Sequence, residues 1–317
     1  MSLELASMNM SSPEKASLKL VVASGKGGTG KTTVSTALAL AAAGSSRMEL
    51  FVTFVDCDVE EPNSHIFLKP EYSEKAEEIT TVVPKVVEER CNYCGACRDI
   101  CRFNAITVLG KTILAFPDMC HSCQGCFLVC EQDALVEDRR TLGWLKQGKS
   151  GPIQVFEGLL RVGEAMSSPL IKALKKRVRD RQGLVVYDAP PGTSCPVIKT
   201  MTGADYVLLV TEPTPFGLHD LKLCAEVVEI LGIPFGVVIN RAGLGNQDVE
   251  EWCRSRHIPI LMEIPFKKEI AGAYARGISI IDAAPELKAP FEDLLLEVMK
   301  RAQQQGRAPA GTKEAAS

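Results

Sequence analysis

The chain has 317 residues, of which 46% are hydrophobic, 24% charged and 6% aromatic, and its formal net charge is −3. That length permits one large core with a smaller second unit, and the near-balanced charge gives no electrostatic footprint for nucleic acid or an anionic membrane as main partner. No apolar run approaches the roughly 20 residues that span a bilayer, and the start, MSLELASMNMSSPEK, has neither the basic beginning nor the apolar stretch of a signal peptide.

Residues 1–17 are therefore expected to be a flexible leader. The first predicted strand is LKLVVAS (18–24), followed by a glycine-rich turn and a helical run, then a second strand, LFVTFVD (50–56). Strand–helix alternation stops near residue 80, gives way to a cysteine-rich block, and resumes near 153. Leu170, Ile171, Leu174 and Val178 then lie on one face of a helical pattern over 170–179. LVVYD (184–188), YVLLVTE (206–212) and FGVVIN (235–240) are three more β-branched runs, with a helical stripe of Leu218, Leu221, Cys224, Val228 and Leu231 before the last. Short apolar runs alternating with amphipathic helices predict an α/β fold, doubly wound on a mostly parallel sheet, with its ligand site at the carboxyl ends of the strands. The α/β domain is expected to be discontinuous, 18–80 and 150–303, with a small α+β unit inserted at 81–149 and a flexible tail at 304–317.

Gly25 to Thr32 spell GKGGTGKT, which fits G-x-x-x-x-G-K-[ST] between a strand and a helix. In such a loop the backbone N–H groups of Gly25, Lys26, Gly27, Gly28, Thr29 and Gly30, and of Lys31, Thr32 and Thr33 entering the helix, point at phosphate oxygens. Lys31 neutralises the β- and γ-phosphates and the Thr32 hydroxyl binds Mg²⁺. The extra lysine, Lys26, makes the loop resemble the deviant Walker A motif of the MinD/ParA/Mrp ATPases, which include the nitrogenase iron protein.

That resemblance implies a nucleotide-sandwich homodimer in which Lys26 reaches the partner's phosphates. It implies that Asp58, in VDCDVEEPN, positions the attacking water and that Asp56 holds the metal's water shell. In VVYDAPPG it makes Asp188 the end of a Walker B strand, bound to Mg²⁺ through water, and Gly192 a sensor of the γ-phosphate. The D-x-P-P-G form is that of the Mrp branch. Asn240 and Arg241, in VVINR, and Pro265 and Phe266, in EIPF, fall where relatives hold the adenine; a packing role for Pro265 and Phe266 is equally open. The expected catalytic residues are Lys26, Lys31 and Asp58, and the expected ligands are ATP or ADP and Mg²⁺.

The inserted block carries an internal repeat. CNYCGACRDICRFNAI and CHSCQGCFLVCEQDAL superimpose cysteine on cysteine, and Ala105 on Ala134. Each array reads C-x-x-C-x-x-C-x-x-x-C, and the block resembles a bacterial ferredoxin with two 4Fe–4S clusters. In that fold the fourth ligand crosses over. The resemblance thus implies one cluster on Cys91, Cys94, Cys97 and Cys130 and the other on Cys120, Cys123, Cys126 and Cys101. Zinc is the competing metal, since paired C-x-x-C motifs also make tetrahedral sites. Arg102 and Glu131 stand where ferredoxins usually have proline after the fourth cysteine.

Of the other cysteines, Cys57, Cys224 and Cys253 are expected to pack in the core. Cys195 lies seven residues after Asp188, an offset similar to that of a cluster ligand in the nitrogenase iron protein, and a packing role competes with that reading. His65 and His219 join no ligand array. Reduced thiols point to the cytoplasm. The leading expectation is an ATP-driven redox switch that exchanges electrons with a partner protein. A cluster or metallocofactor delivery ATPase of Mrp type is the second reading, with a protein that accepts the cofactor as its partner. A nucleotide-dependent scaffold with structural clusters is the third.

Overall fold

The computed structural model describes residues 17–73 and 75–306. The expected leader and tail fall outside these residues, except for Ser17 and residues 304–306. The strands are β1 (Ser17–Ala23), β2 (Val52–Asp56), β3 (Glu71–Tyr72), β4 (Glu77–Val86), β5 (Ile106–Leu109), β6 (Thr112–Ala115), β7 (Leu135–Ser150), β8 (Ile153–Leu160), β9 (Gly183–Asp188), β10 (Tyr206–Thr211), β11 (Phe235–Ala242) and β12 (Ile260–Pro265). The main sheet has the order β12-β11-β10-β1-β9-β2-β8-β7-β3, with β4 also paired to β7, while β5 and β6 form a separate hairpin. From β12 to β8 all pairs are parallel, and β7 pairs antiparallel with β8, β3 and β4.

Both faces of the parallel part are covered, which is why its strands read as unbroken apolar runs. Successive side chains of β1 divide between the two cores. Leu20 and Val22 join Leu38, Phe54, Leu208 and Phe291 under helices Lys31–Ala43 and Lys288–Gly306. Val21 and Ala23 join Leu174, Val185, Cys224 and Val228 under helices Ser168–Arg177 and Pro215–Leu231. Cys57, Cys224 and Cys253 are fully buried, as core packing requires, whereas Cys195 is exposed at the start of helix Cys195–Met201.

The inserted block joins the sheet without a break in pairing at residues 80/81 or 149/150. β4 and β7 make a long antiparallel ribbon from Glu77 opposite Leu145 to Val86 opposite Leu135, and the far end of β7, Gly143 to Ser150, pairs with β8. The seam is therefore a shared strand. Asp56 lies beside Glu157, and Glu157 beside Lys146, so β7 runs level with the carboxyl ends of the parallel strands at that point. Residues 135–142 continue past the end of β8, about 26 Å of strand at ~3.3 Å per residue. The cysteine module, closed around Cys97, Ile106, Val108, Ile113, Cys126 and Leu135, thus leaves the sheet at the same end as the glycine-rich loop.

Candidate functional site

The loop 25–30 connects β1 to helix Lys31–Ala43. Gly28 and Gly30 have φ of 80° and 96°, the left-handed region that glycine enters freely. No side chain caps the helix start at Gly30, so its leading N–H groups face the cavity beside it, a ready anion site. Gly25 has no room for a side chain, because a Cβ there would collide with the Asp220 backbone. Lys31 is buried, and the Ser24 hydroxyl donates to the Lys26 carbonyl at 2.5 Å, which fixes the entry of the turn.

A cavity of about 450 Å³ lies against this loop. Gly27, Gly28, Gly30, Lys31, Thr32, Thr33 and Asp58 line it, together with Asn240, Arg241, Pro265 and Phe266. Of the predicted nucleotide residues, Gly25, Lys26, Thr29 and Gly192 are not on its wall. Asn240 also fastens β11 to the phosphate loop, since its Nδ2 donates to the Thr29 carbonyl at 2.8 Å while its Oδ1 accepts from the Arg241 N–H at 2.9 Å. Gly192, at φ 91°, donates its N–H to the Ser24 carbonyl at 3.0 Å, which ties the segment after β9 to the end of β1.

Three acids gather at the strand ends. Asp56 and Asp188 are register partners on β2 and β9, both fully or almost fully buried. Asp56 accepts from the Asp58 and Ser64 N–H groups, each at 3.1 Å. Burial, with Asp188 close by, holds its carboxyl well above the usual carboxylate range. Burial also pushes Asp188 up to about 7, against the pull of Lys31. Neither Asp188 oxygen has a hydrogen-bond partner among the described residues. A buried carboxylate with both oxygens orphaned, beside the Thr32 hydroxyl and a second acid, is a donor set suited to a hard divalent cation such as Mg²⁺. Asp58 is pushed up to about 6 by burial, again opposed by Lys31.

Sequence reasoning missed Glu212. Its carboxylate stands 3.6 Å from Lys26 Nζ and 2.5 Å from Arg241 Nη1, so within one subunit Lys26 leans on Glu212. Glu61, Asn63, Lys267 and Tyr274 also line the cavity without having been foreseen. Glu61 and Asn63 were within reach of the VDCDVEEPN reading. Lys267 and Tyr274 come from the chain after β12, which carried no motif.

In the cysteine module all eight thiols are free, and they divide into two crossed sets. Cys91, Cys94, Cys97 and Cys130 surround one cavity, of about 240 Å³. Cys101, Cys120, Cys123 and Cys126 surround a second, much tighter one of about 20 Å³, walled by Ile100, Phe103 and Phe127. The repeat in sequence is also a repeat in backbone. Tyr93 and Ser122, Gly95 and Gln124, and Asn104 and Asp133 are pairs at equivalent positions, and all six have positive φ. Five of these are not glycine; at Tyr93, Ser122 and Gln124 this backbone costs about 1–2 kcal/mol, and Asn104 and Asp133 adopt it more readily. That strain turns N–H groups toward sulfur: Tyr93 to Cys91 at 3.4 Å, and Ser122 to Cys120, Ala105 to Cys101 and Ala134 to Cys130 at 3.3 Å. Burial raises the thiols of Cys97 and of Cys126, the latter to about 11. Among the described residues no three His, Cys, Asp or Glu side chains are gathered as a single-ion site.

Residues 20–280 match the family model described as the CobQ/CobB/MinD/ParA nucleotide binding domain. The chain belongs to this family. Two of its relatives are uncharacterised proteins of Methanocaldococcus jannaschii. MJ0579 is 30% identical over 264 residues, 83% of this chain and 91% of that protein. MJ0578 is 28% identical over 278 residues, 87% of this chain and 95% of that protein. Among solved structures, the septum site-determining protein MinD of Pyrococcus horikoshii, complexed with Mg-ADP, superposes with a TM-score of 0.58 at 20% identity, covering 92% of this chain and all of that one. The family's MinD/ParA-type nucleotide-binding fold is thus that of this chain. No helix among the described residues is long and apolar enough to cross a membrane.

Proposed function

We propose that the protein is an ATP-hydrolysing iron–sulfur protein in which a nucleotide-driven dimer switch acts on two 4Fe–4S clusters. The observation that carries this reading is the common address of the two sites: the cysteine module leaves the sheet at the end where the phosphate loop sits. The family membership and the Mg-ADP in the MinD structure support ATP and Mg²⁺ as ligands.

Lys31 and the helix N-terminus would meet the phosphate charge, and Thr32, Asp188 and Asp56 would hold a Mg²⁺ ion that neutralises charge on the phosphates. Asp58 accepts a proton from the attacking water or orients it; with its carboxyl raised to about 6 it stays largely ionised at neutral pH yet is a better base than an exposed aspartate. Lys26 must leave Glu212 to reach a partner subunit's phosphates, so dimer closure exchanges one ion pair for another. Gly192 must likewise release the Ser24 carbonyl if its N–H is to meet a γ-phosphate.

The crossed thiol sets and the N–H groups aimed at sulfur support cubane clusters, and among the described residues no three such side chains are gathered tightly enough for a single ion. A lone Zn²⁺ would draw its four sulfurs to within about 3.8 Å of one another, given bonds of ~2.3 Å. Once bound, the clusters would take single electrons from a protein donor and pass them to a protein acceptor, with ATP hydrolysis supplying free energy and no electrons. The exposure of Cys94 and Cys123 favours a second reading, in which a cluster is handed to an acceptor protein.

Anaerobic preparation followed by iron analysis and an EPR-monitored redox titration, with and without Mg-ATP, tests the proposal. About eight irons per chain are expected, with one or both midpoints moving on nucleotide addition and ATPase activity lost in Lys31→Ala. Fewer than two irons, or bound zinc, would rule it out. Immobile midpoints with iron passing to an apo-acceptor would favour delivery.

A further inference from the structure

One group of buried charges joins the two sites. Arg140, on β7, is 7% exposed, and its Nη2 donates to the Cys120 carbonyl at 3.2 Å. Its Nη1 stands 2.6 Å from Glu164 and 3.7 Å from Asp118. Arg161, in the loop just after β8, bridges the same two acids, at 2.6 Å from Asp118 and 3.8 Å from Glu164. The carboxylate of Glu164 is almost completely buried, and its other oxygen accepts the Met166 N–H at 3.0 Å.

This loop is bonded to the nucleotide side as well. The Leu160 N–H donates to the carbonyl of Val59, the residue after Asp58, and the Arg161 N–H donates to Leu142 on β7, both at 2.8 Å. A path of chain neighbours, hydrogen bonds and ion pairs therefore runs from Asp58 through Val59, Leu160 and Arg161 to Asp118, Arg140 and Cys120.

Two further facts make the group more than a fastening. It is loosely satisfied: Arg140 Nε and Nη1, Arg161 Nε and Glu164 Oε2 are buried without hydrogen-bond partners among the described residues. The ions are in contact but not aligned, so exchanging one pairing for another sacrifices few hydrogen bonds. It is also one-sided. The internal repeat makes Cys91 the counterpart of Cys120, yet among the described residues no charged side chain donates to the Cys91 carbonyl; Arg90, nearby, donates to Asp133 instead.

We propose that Arg140 is a positioning residue that couples the nucleotide site to the Cys101, Cys120, Cys123 and Cys126 group alone, with Glu164 setting how much of its charge that group feels. This rests on the reading of the two thiol sets as cluster sites. A guanidinium shielded from water stabilises added negative charge on a neighbour far more than an exposed one does. A buried carboxylate paired to its far side offsets that effect. Movement of the loop carrying Arg161 and Glu164, driven from Asp58 and Val59, changes the offset and with it the ease of reducing one cluster. By reciprocity, reduction of that cluster changes nucleotide affinity by the same factor. On this proposal the loop is the element whose position both sites bias.

The test uses the full chain, anaerobically loaded, in EPR-monitored redox titrations with Mg-ADP and with a non-hydrolysable Mg-ATP analogue. In the wild type one of two midpoints is expected to differ between the nucleotides. In Arg140→Met combined with Glu164→Leu, a pair replaced by apolar groups of similar size, that midpoint falls and its nucleotide dependence disappears. The other midpoint and the iron content stay unchanged. Arg161→Gln, at a one-third-exposed position, serves if the double variant does not fold, and the nucleotide-dependent difference is expected to shrink by half or more. A wild type that shifts while the variant tested shifts just as far, or a variant in which both midpoints move equally, overturns the role of Arg140 and leaves the proposed function standing. A wild type without iron, or with iron but no nucleotide effect, overturns both.

Discussion

Asp188 is a carboxylate kept out of water, and its energetics have a definite sign. Its carboxyl is raised to about 7 in the folded chain against a usual value of 3.8, and that of Asp58 to about 6. The folded state therefore holds these protons more tightly than the unfolded state, so both groups cost stability as pH rises from about 4, fully so above about 7. Without Mg²⁺ and nucleotide, Asp188→Asn is expected to raise the melting temperature at pH 8 by about 2–4 °C, on a scale of roughly 1 kcal/mol, with less gain at pH 5. The same variant should lose Mg²⁺-dependent nucleotide binding. Calorimetric scans at the two pH values, with and without Mg-ADP, check both parts. Asn240 makes a different prediction. Its hydrogen bond to the Thr29 carbonyl is worth about 1 kcal/mol net, so Asn240→Ala should lower stability by up to about that amount and, by loosening the loop, weaken Mg-ADP binding by up to about fivefold. Isothermal titration measures it.

At the scale of elements, β1, β2, β9, β10 and β11 were legible because a strand buried on both faces must be apolar throughout, and each is short and bounded by turn or capping residues. β7 was not. Its sequence, LVEDRRTLGWLKQGKS, mixes charges with two glycines, since one part is a solvent-facing ribbon and the other an antiparallel edge of the main sheet. The glycines mark where backbones approach: a Cβ at Gly143 would meet the Leu159 carbonyl, and one at Gly148 the Glu71 carbonyl. That clash is visible only in three dimensions. Gly143→Val is accordingly expected to destabilise the chain by about 2–3 kcal/mol through forced backbone shifts, seen as a lowered urea midpoint, whereas the same change at Gly151, which has open space but φ of 53°, should cost only the backbone term of about 1–2 kcal/mol.

For the whole molecule, the phosphate loop and the crossed thiol sets could be read from spacing and resemblance, because each is built from residues close in sequence or repeated in it, whereas the acids at the strand ends, with Asp56 and Asp188 on strands far apart in the chain, were named from resemblance alone. Glu212 and the Arg140 network could not, since they are pairings between strands and loops far apart in the chain. The ribbon offers a test of how separable the two halves are. Val86 and Leu135 are register partners, so residues 87–134 can be replaced by an Asn-Gly turn that closes β4 onto β7 as a two-residue hairpin. The shortened chain is expected to bind Mg-ADP within about threefold of wild type, a difference under ~0.7 kcal/mol, and to carry no iron. Loss of nucleotide binding together with soluble expression would show that the ATPase fold needs the module.

That ribbon has one more consequence. Because the chain departs and returns on neighbouring strands, the ends of the excursion are already held together by the time β4 and β7 have zipped, and the entropy of closing a long detour, which grows only as about (3/2)RT ln n, is met by the ladder rather than by anything inside the detour. The platform that carries the thiols is thus complete without them, and on the proposed function the loading of metal can follow folding rather than drive it.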